Sequence, residues 1–458
     1  KDFLDKVEFY TMKNVFYLGE ESRWEYILKN SKQKDLAIKI DTALNSIEKN
    51  NISLKGALPD NYFSRIGLDN SKLSALVDDI NNLNTKENKT EDLFGRVYEY
   101  FLKRFAIKEG KNKGEYYTPK CIVNFIAELI QPFKGTLYDP CCGSGGMFVQ
   151  SLKLIEYHNG NKKNVSIYGQ EATSTTLKLA KMNLAIRGIS ANIGDKHEDT
   201  FKKDLHPKLK ADFIMANPPF NSKDWRDKNE LINDPRWNGY DIPPESNANY
   251  AWILHIISKL SNNGIAGFLL ANGALSGGAE EFKIRKQIIE NDLIEAIITL
   301  PRDMFYATDI SVTLWIINKN KRENLKDNKN LRSRKNEILF MDLRRTGSEY
   351  EKKYIELTNE DIEKISLIFR NWRNKDKNNL YKDIPEFCKS VNIDELRALN
   401  YSLIPSKYIP FVDKDINLDF DKEMKKIQNE FSKLIKEEKT TQTELKNSFK
   451  NIGYEIKD

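Results

Sequence analysis

Ala211-Asp-Phe-Ile-Met-Ala-Asn-Pro-Pro-Phe220 opens as an apolar run of strand type and stops at an amide, two prolines and an aromatic ring. Neither Pro218 nor Pro219 can donate to a β-ladder, so the strand ends there. Asn217 and Phe220 are then left at the carboxyl end of a strand, which is where open α/β sheets bind their ligands. An amide acceptor, a proline carbonyl and an aromatic plate suit a flat base bearing an amino group. Taken alone, the tetrapeptide is also what a strand closing in a proline turn would show.

Upstream, Gly135-Thr-Leu-Tyr-Asp-Pro-Cys-Cys-Gly-Ser-Gly-Gly-Met-Phe148 reads as a short strand feeding a glycine-rich turn, with a helix following through Phe148, Leu152 and Ile155. Glycines there let the backbone approach a ligand at the helix N-terminus. A lone glycine loop is a weak signal, but an acid, Asp139, stands just before this one. A second strand, Val165-Ser-Ile-Tyr-Gly-Gln-Glu171, ends in another acid, where a Rossmann-type unit places the group that holds ribose hydroxyls. Leu177, Ala180 and Leu184 recur at helical spacing and close this β-α unit. A third strand ends near Ile193, followed by Asp195 and the loop Asp199-Thr-Phe201, and the fourth strand is the opening stretch.

Downstream come a helix over 250–260, a buried-type strand over 265–271, a helix over 280–290 and two apolar runs over 293–300 and 310–318, joined by a loop carrying Phe305. Seven strands, most separated by helices, predict an α/β fold with a largely parallel sheet covered on both faces. The last two runs lack an intervening helix and are expected to pair antiparallel. The segment 221–249 is long, polar and rich in tryptophan, aspartate and proline, a composition of functional loops rather than of disorder.

The flanks read as helical. Residues 1–105 carry apolar positions three and four apart (Leu73, Leu76, Val77 and Ile80; Leu93, Val97, Phe101 and Phe105), with Thr90 as an N-cap and no chemical motif. Gly110 and Gly114 mark a loop, and Thr118-Pro119 starts the next helix. The basic, aperiodic stretch 319–335 reads as a solvated loop in preference to a phosphate contact. From Phe420 a heptad runs through Met424, Ile427, Phe431 and Leu434, and Leu445 and Ile452 keep its frame. It predicts a long helix docking on a partner helix, with a weaker middle at Glu438 and Thr441.

A chain of 458 residues is expected to hold two or three domains, and its net charge of +6 is compatible with nucleic acid without demanding it. The four cysteines, at 121, 141, 142 and 388, form no Cys-x-x-Cys pair, and the four histidines show no ligand spacing. Neither a disulfide framework nor a metal site is expected, and a reducing cytoplasm is. No apolar run reaches about 18 residues, so no membrane span is expected.

The order Gly114-Glu-Tyr-Tyr-Thr-Pro119, Asp139-Pro-Cys-Cys-Gly-Ser-Gly-Gly-Met147, Gly169-Gln-Glu171 and Asn217-Pro-Pro-Phe220 resembles adenine-specific DNA methyltransferases of the N6 type. More closely, it is similar to the modification subunit of type I restriction-modification systems, a likeness supported by 208–221, Asn247-Ala-Asn-Tyr-Ala-Trp252 and Gly267-Phe-Leu-Leu-Ala-Asn-Gly273. The resemblance covers roughly residues 90 to 375. It implies a Rossmann-like class I methyltransferase domain with a seven-stranded mixed sheet over 106–380, an N-terminal helical domain over 1–105 and a C-terminal region with a coiled-coil-like helix over 381–458.

The resemblance further implies S-adenosylmethionine as cofactor. Glu115, Tyr116, Tyr117, Thr118, Pro119 and Lys120 would close over it. Asp139, Gly143, Ser144, Gly145 and Gly146 would lie under its methionine part, and Glu171 would hold the ribose. Asp199 with Phe201 would meet the cofactor's adenine edge, with Asp195 a competing choice. Asn217, Pro218, Pro219 and Phe220 match the catalytic motif, and Phe305 matches a second aromatic that packs with Phe220 on the target base. Cys141-Cys142 replaces an alanine pair common in relatives; both residues are small, so packing is kept and no thiol chemistry is expected. The implied partners are double-stranded DNA, a separate specificity subunit docked on the heptad helix, a second copy of the chain and a restriction/translocase subunit.

An adenine amino nitrogen is a poor nucleophile because its lone pair is delocalised into the ring. Hydrogen bonds from it to the Asn217 side-chain oxygen and the Pro218 carbonyl favour a pyramidal nitrogen, and methyl transfer is then a direct in-line displacement without a covalent enzyme intermediate. The base must first leave the duplex, at roughly a few kcal/mol, and stacking on Phe220 returns roughly 1–3 kcal/mol. Two other functions share these motifs: methylation of a protein glutamine, and a non-catalytic assembly or DNA-binding subunit on the same fold. The helical preamble and tail weigh against the first, and the intact Asn217–Phe220 motif weighs against the second.

Overall fold

The computed structural model describes residues 7, 10, 15–51, 54–82, 97–101, 118–305, 311–322, 330–350, 354–375, 380–412, 419–451 and 453–454. Glu115, Tyr116 and Tyr117 lie outside them, as do Thr90, Leu93, Phe105 and Ile452. The chain divides into two compact units, 1–409 and 410–458.

The first unit is built on strands β1 (Gly135–Asp139), β2 (Val165–Gly169), β3 (Ala191–Asn192), β4 (Ala211–Ala216), β5 (Leu260–Ala271), β6 (Ile294–Thr299), β7 (Val312–Asn318), β8 (Glu337–Asp342), β9 (Ser348–Tyr350), β10 (Tyr354–Glu356) and β11 (Cys388–Asn392). Nine of them form one sheet in the order β11-β8-β6-β7-β5-β4-β1-β2-β3, and β9 and β10 make a separate antiparallel pair. From β1 the chain moves outward to β2 and β3, then returns to place β4 on the other side of β1. That reversal opens the crevice at which α/β sheets take their ligands. β1 and β4 are parallel, with Leu137 beside Phe213 and Tyr138 beside Ile214. Asp139 and Asn217 therefore emerge at the same, carboxyl end of the sheet's strands.

β7 runs antiparallel to both β5 and β6, as the missing helix between those runs predicts. The seven expected strands are all present, and the sheet goes further. β8 adds parallel to β6 and β11 adds antiparallel to β8, so the sheet continues past residue 380 to Asn392.

One face carries the helices Lys120–Ile130, Gly146–Tyr157 and Asn359–Arg373, packed through Ile122, Phe125, Phe148, Ile155, Phe369 and Trp372. The other carries Asn249–Lys259, Ala279–Glu290 and Ile393–Ala398, packed through Ile253, Leu254, Ile284, Ile288 and Leu396. A Cβ on Gly267 of β5 would stand 2.6 Å from Ile126 Cγ2, so the close seating of the helix Lys120–Ile130 requires glycine there.

In the N-terminal part, the helices Trp24–Lys29, Leu36–Asn50 and Asn70–Asn82 gather around Ile27, Leu36, Leu73 and Val77, while Ile38, Leu76 and Ile80 are exposed. This part meets the rest of the unit where Leu54 and Ala57 pack on Ala185, and where Lys181 Nζ donates to the Lys55 carbonyl at 3.1 Å.

Within 319–335, the described residues Lys321 and Arg334 depart from the reading as a solvated loop. Lys321 is buried and donates to the carbonyls of Ile294 and Glu337, beside Asp292. Arg334 and Glu295 are both 0% exposed and form a 2.7 Å ion pair. These cations sit at the N-terminal ends of β6 and β8 with charge partners from neighbouring elements, which one-dimensional periodicity does not register.

In the second unit, Phe420–Asn451 is a helix of 32 residues. Phe420, Met424, Ile427, Phe431, Leu434 and Leu445 are exposed along it, with Phe449 in addition. Among the described residues no helix is long and apolar enough to cross a membrane.

Candidate active site

Two half-sites meet at the switch point. The first follows β1. Gly143 and Gly145 adopt φ of +54° and +78°, the left-handed region, which turns the chain tightly into the helix Gly146–Tyr157. Cys142 N–H donates to the Gln170 carbonyl at 2.9 Å, and Asn183 Nδ2 donates to the Ser144 carbonyl at 2.7 Å, so both neighbours hold the turn. Asp139 lies at its entrance, buried, accepting from Cys141 N–H at 3.0 Å. Glu171, just past β2, accepts from Gly143 N–H at 3.0 Å and Thr173 N–H at 2.8 Å.

Burial dominates the electrostatics of this cradle. It pushes the Asp139 carboxyl up to about 7, with the Glu171 charge adding to it and the Cys141 N–H opposing. Burial also raises Glu171 against its backbone hydrogen bonds. The Cys141 and Cys142 thiols are raised well above their ordinary value by burial and by the two acids, so they stay protonated and act as small packing groups. Buried carboxyls beside a glycine turn and a helix N-terminus are under-compensated in charge. A ligand bringing hydroxyl donors and a positive charge would supply what they lack.

Loop 198–205 forms the far wall. Asp199 Oδ1 accepts from Phe201 N–H at 2.7 Å and Lys202 N–H at 3.1 Å, and Thr200 Oγ1 donates to the Pro140 carbonyl at 2.6 Å. Gln170, fully buried, ties in the rest by donating to the carbonyls of Glu198 and Lys203 and accepting from Leu205 N–H. Phe201 is placed differently from the other candidates. Its ring is buried among Trp225, Trp237 and Trp252, with centroids 4.5 Å from Trp252 and 4.6 Å from Trp225. Asp195 is exposed, and its carbonyl accepts from Lys181 Nζ.

The second half-site follows β4. Asn217 Nδ2 donates to Thr118 Oγ1 at 3.1 Å. Its Oδ1 is buried and has no hydrogen-bond partner among the described residues. A buried amide oxygen without a partner among the described residues is a vacant acceptor, and the Thr118 hydroxyl holds the other end of the amide. Pro119 and Lys120 follow Thr118 into the helix Lys120–Ile130. Phe220, half-buried, meets Phe305 edge-on, with centroids 6.1 Å apart and an interplanar angle of 86°. Pro218 is buried and Pro219 half-buried between them and Asn217.

The segment 221–249 is ordered by its own packing. Arg226 donates to four backbone carbonyls, Trp225 Nε1 donates to the Pro244 carbonyl, and Trp237 is buried. Arg236 reaches from it to the far wall, donating to the carbonyls of Thr200 and Phe201 at 2.8 Å each while Asp234 holds the same guanidinium at 2.6 Å. Neither Arg236 nor Gln170 was singled out by the sequence. The only local sign of the former is the Asp234-Pro-Arg-Trp turn, in which Asp234 caps the short helix Pro235–Trp237. Among the described residues no group of His, Cys, Asp and Glu could hold a metal.

The sequence profile of the N-6 DNA methylase family matches residues 89–415, and that of the HsdM N-terminal domain matches residues 4–80. The chain belongs to the type I methylase subunits of the N-6 DNA methylase family. The methylase is 38% identical to the HindI type I restriction enzyme methylase subunit of Haemophilus influenzae, over 96% of this chain and 97% of that one. It is 35% identical to the MjaIX methylase subunit of Methanocaldococcus jannaschii, over 99% of this chain and 80% of that one. Its fold is shared by the type I restriction-modification methyltransferase subunit of Streptococcus thermophilus, with a TM-score of 0.73, 23% identity, and coverage of 88% of this chain and 83% of the other. Within this family the methylase places Asp139, the glycine turn, Glu171 and Asn217 around one crevice.

Proposed function

We propose that the methylase transfers a methyl group from S-adenosylmethionine to the N6 amino group of an adenine flipped out of double-stranded DNA, as the modification subunit of a type I restriction-modification complex. The observation that carries this reading is the buried Oδ1 of Asn217 at the switch point, unpartnered among the described residues and one strand from Asp139. S-adenosylmethionine, when bound, supplies an activated methyl on a sulfonium leaving group.

In this reading Asp139 and Glu171 bind the cofactor's polar hydroxyl- and amine-bearing parts, and the turn Gly143, Ser144, Gly145, Gly146 brings backbone close to it. Glu115 to Lys120 close over the site, and Asp199 meets the adenine edge. Asn217 Oδ1 and the Pro218 carbonyl accept from the target amino group, draw its nitrogen toward a pyramidal form and aim its lone pair. The Thr118 hydroxyl tethers the other end of that amide. Phe220 and Phe305 pack on the flipped base.

A specificity subunit selects the adenine, a second copy of the chain completes the modifying assembly, and a restriction subunit joins for cleavage. The exposed heptad stripe of the helix Phe420–Asn451 is the docking element for the specificity subunit in this assembly. The test is to incubate the methylase, co-expressed with its specificity subunit, with labelled S-adenosylmethionine and unmodified DNA. After digestion to nucleosides, label in N6-methyldeoxyadenosine is expected. Label in protein glutamine alone, or no transfer, overturns the reading.

A further inference from the structure

The catalytic motif ends at Phe220, and the next residue reverses the chain. Asn221 has φ of +53°, a left-handed conformation that asparagine tolerates better than most residues with a Cβ, and here it is held from outside. What holds it comes from 28 residues downstream. Asn221 N–H donates to Asn249 Oδ1 at 3.1 Å, and Asn249 Nδ2 donates back to Asn221 Oδ1 at 2.9 Å. The amide of Asn249 thus reads both the backbone and the side chain of Asn221, a closed two-bond ring that fixes position and rotation together. A third bond, Ala248 N–H to the Ser222 carbonyl at 2.9 Å, lies alongside.

Asn249 is itself rigid. It is 1% exposed, it opens the helix Asn249–Lys259, and its own N–H donates to Asn247 Oδ1 at 2.9 Å. That helix is buried along almost all of its length. The exit of the catalytic loop is therefore pinned to the core, while its entrance is pinned by β4 and by the Thr118 hydroxyl.

We infer that Asn249 is a positioning residue for methyl transfer: through its amide ring with Asn221 it fixes the exit of the Asn217–Phe220 loop, and so the placement of the Phe220 ring and the Pro218 carbonyl. The inference rests on the proposed role of that loop. It does not involve the cofactor half-site, since none of Asn221, Asn247 and Asn249 contacts Asp139, Glu171 or the glycine turn through a hydrogen bond in the described residues. A loss of its hydrogen bonds should slow turnover and leave cofactor affinity alone. Misplacing a reacting group by about 1 Å is enough to cost on the order of 100-fold in rate.

The experiment compares Asn249→Ala, Asn221→Ala and the double variant in the chain co-expressed with its specificity subunit, measuring kcat for methyl transfer to unmodified DNA and the dissociation constant for S-adenosylmethionine by equilibrium dialysis. Asn249→Ala should lower kcat by roughly 10- to 100-fold with cofactor affinity within about twofold of wild type. The double variant should fall no further than the worse single one, because the two side chains act through one ring. Asn221 is exposed, so Asn221→Ala keeps the test open should Asn249→Ala fold poorly. An unchanged kcat in both single variants, multiplicative losses in the double, or a parallel loss of cofactor affinity overturns the inference. If wild type itself methylates no DNA, it is the proposed function that fails; if wild type is active and the variants equal it, only the role of Asn249 fails.

Discussion

Replacing Arg236 by alanine removes one guanidinium that joins the segment 221–249 to loop 198–205, the wall of the proposed cofactor half-site. Its Nη1 and Nη2 donate to the Thr200 and Phe201 carbonyls at 2.8 Å each, and its Nε and Nη2 hold both oxygens of Asp234 at 2.7 and 2.6 Å. Both charged side chains are nearly buried, at 9% and 11% exposure. Alanine leaves two carbonyls without a donor and a carboxylate without its cation. Breaking a buried pair from one side costs about 3–5 kcal/mol. Part of that is recovered when the 199–201 loop swings out to water, so the loop must be re-ordered when the cofactor binds. If roughly 1.5–3 kcal/mol of the loss is charged to that re-ordering, affinity for S-adenosylmethionine falls about 10- to 100-fold. Lysine keeps the charge but not the fork, and should recover only part of the loss. Equilibrium dialysis with labelled cofactor reads the affinity, and thermal unfolding reads the stability. Arg236→Ala binding within twofold of wild type, with an unchanged melting temperature, would show that the guanidinium does not hold this wall.

Three further outcomes follow from the same geometry. Thr118→Val removes the hydroxyl that orients the Asn217 amide at nearly constant volume, so kcat should drop by about tenfold, while Thr118→Ser should retain most activity in the same transfer assay. Asp139 has a carboxyl raised to about 7 by burial, so the folded chain keeps a proton there that the unfolded chain releases, and ionisation costs stability increasingly from about pH 4 to pH 7. Asp139→Asn should therefore raise the melting temperature of the ligand-free chain at pH 8 but not at pH 4, and weaken cofactor binding; an equal gain at both values refutes the assignment. Burial alone would raise the Glu295 carboxyl, but Arg373 and Arg334 beside it and the Asn318 amide hold it down at about 2. Its contribution is present above about pH 4.5 and is lost as pH falls toward 2, and Glu295→Gln, which leaves two guanidiniums buried without their counter-charge, should cost about 3–5 kcal/mol in urea unfolding at pH 7.

The parts of this molecule that were legible in the sequence are those encoded by neighbours in the chain. Pro218 and Pro219 end β4 where they stand, Gly143 and Gly145 turn β1 into its helix, and the uninterrupted link from β6 to β7 makes that pair antiparallel. Asp139 closes β1, Asn217 directly follows β4 and Glu171 stands two residues past β2, so the sequence alone shows them at strand ends. The parts that were not legible depend on partners far away in sequence. Arg334 and Lys321 looked solvated because Glu295 and Asp292, which pair with them, lie on other elements. β11 adds to the sheet only because β8 offers an edge. Phe201 was placed at the cofactor by resemblance, which carries over a position in the chain but not the direction of a ring, and the ring turns instead into the Trp225, Trp237 and Trp252 cluster. Nothing local in the sequence marks Asn249, because its partner is Asn221, across the long loop.

The central claim is that a vacant amide oxygen at the end of β4 receives the target adenine's amino group. Single-turnover transfer of tritiated methyl to unmodified DNA, by Asn217→Ala against wild type at saturating S-adenosylmethionine, tests it most directly. The account predicts a loss of at least about 100-fold in the transfer rate, on the scale of removing one preorganised group from a transition state, with cofactor affinity unchanged. Transfer by Asn217→Ala at the wild-type rate would contradict it.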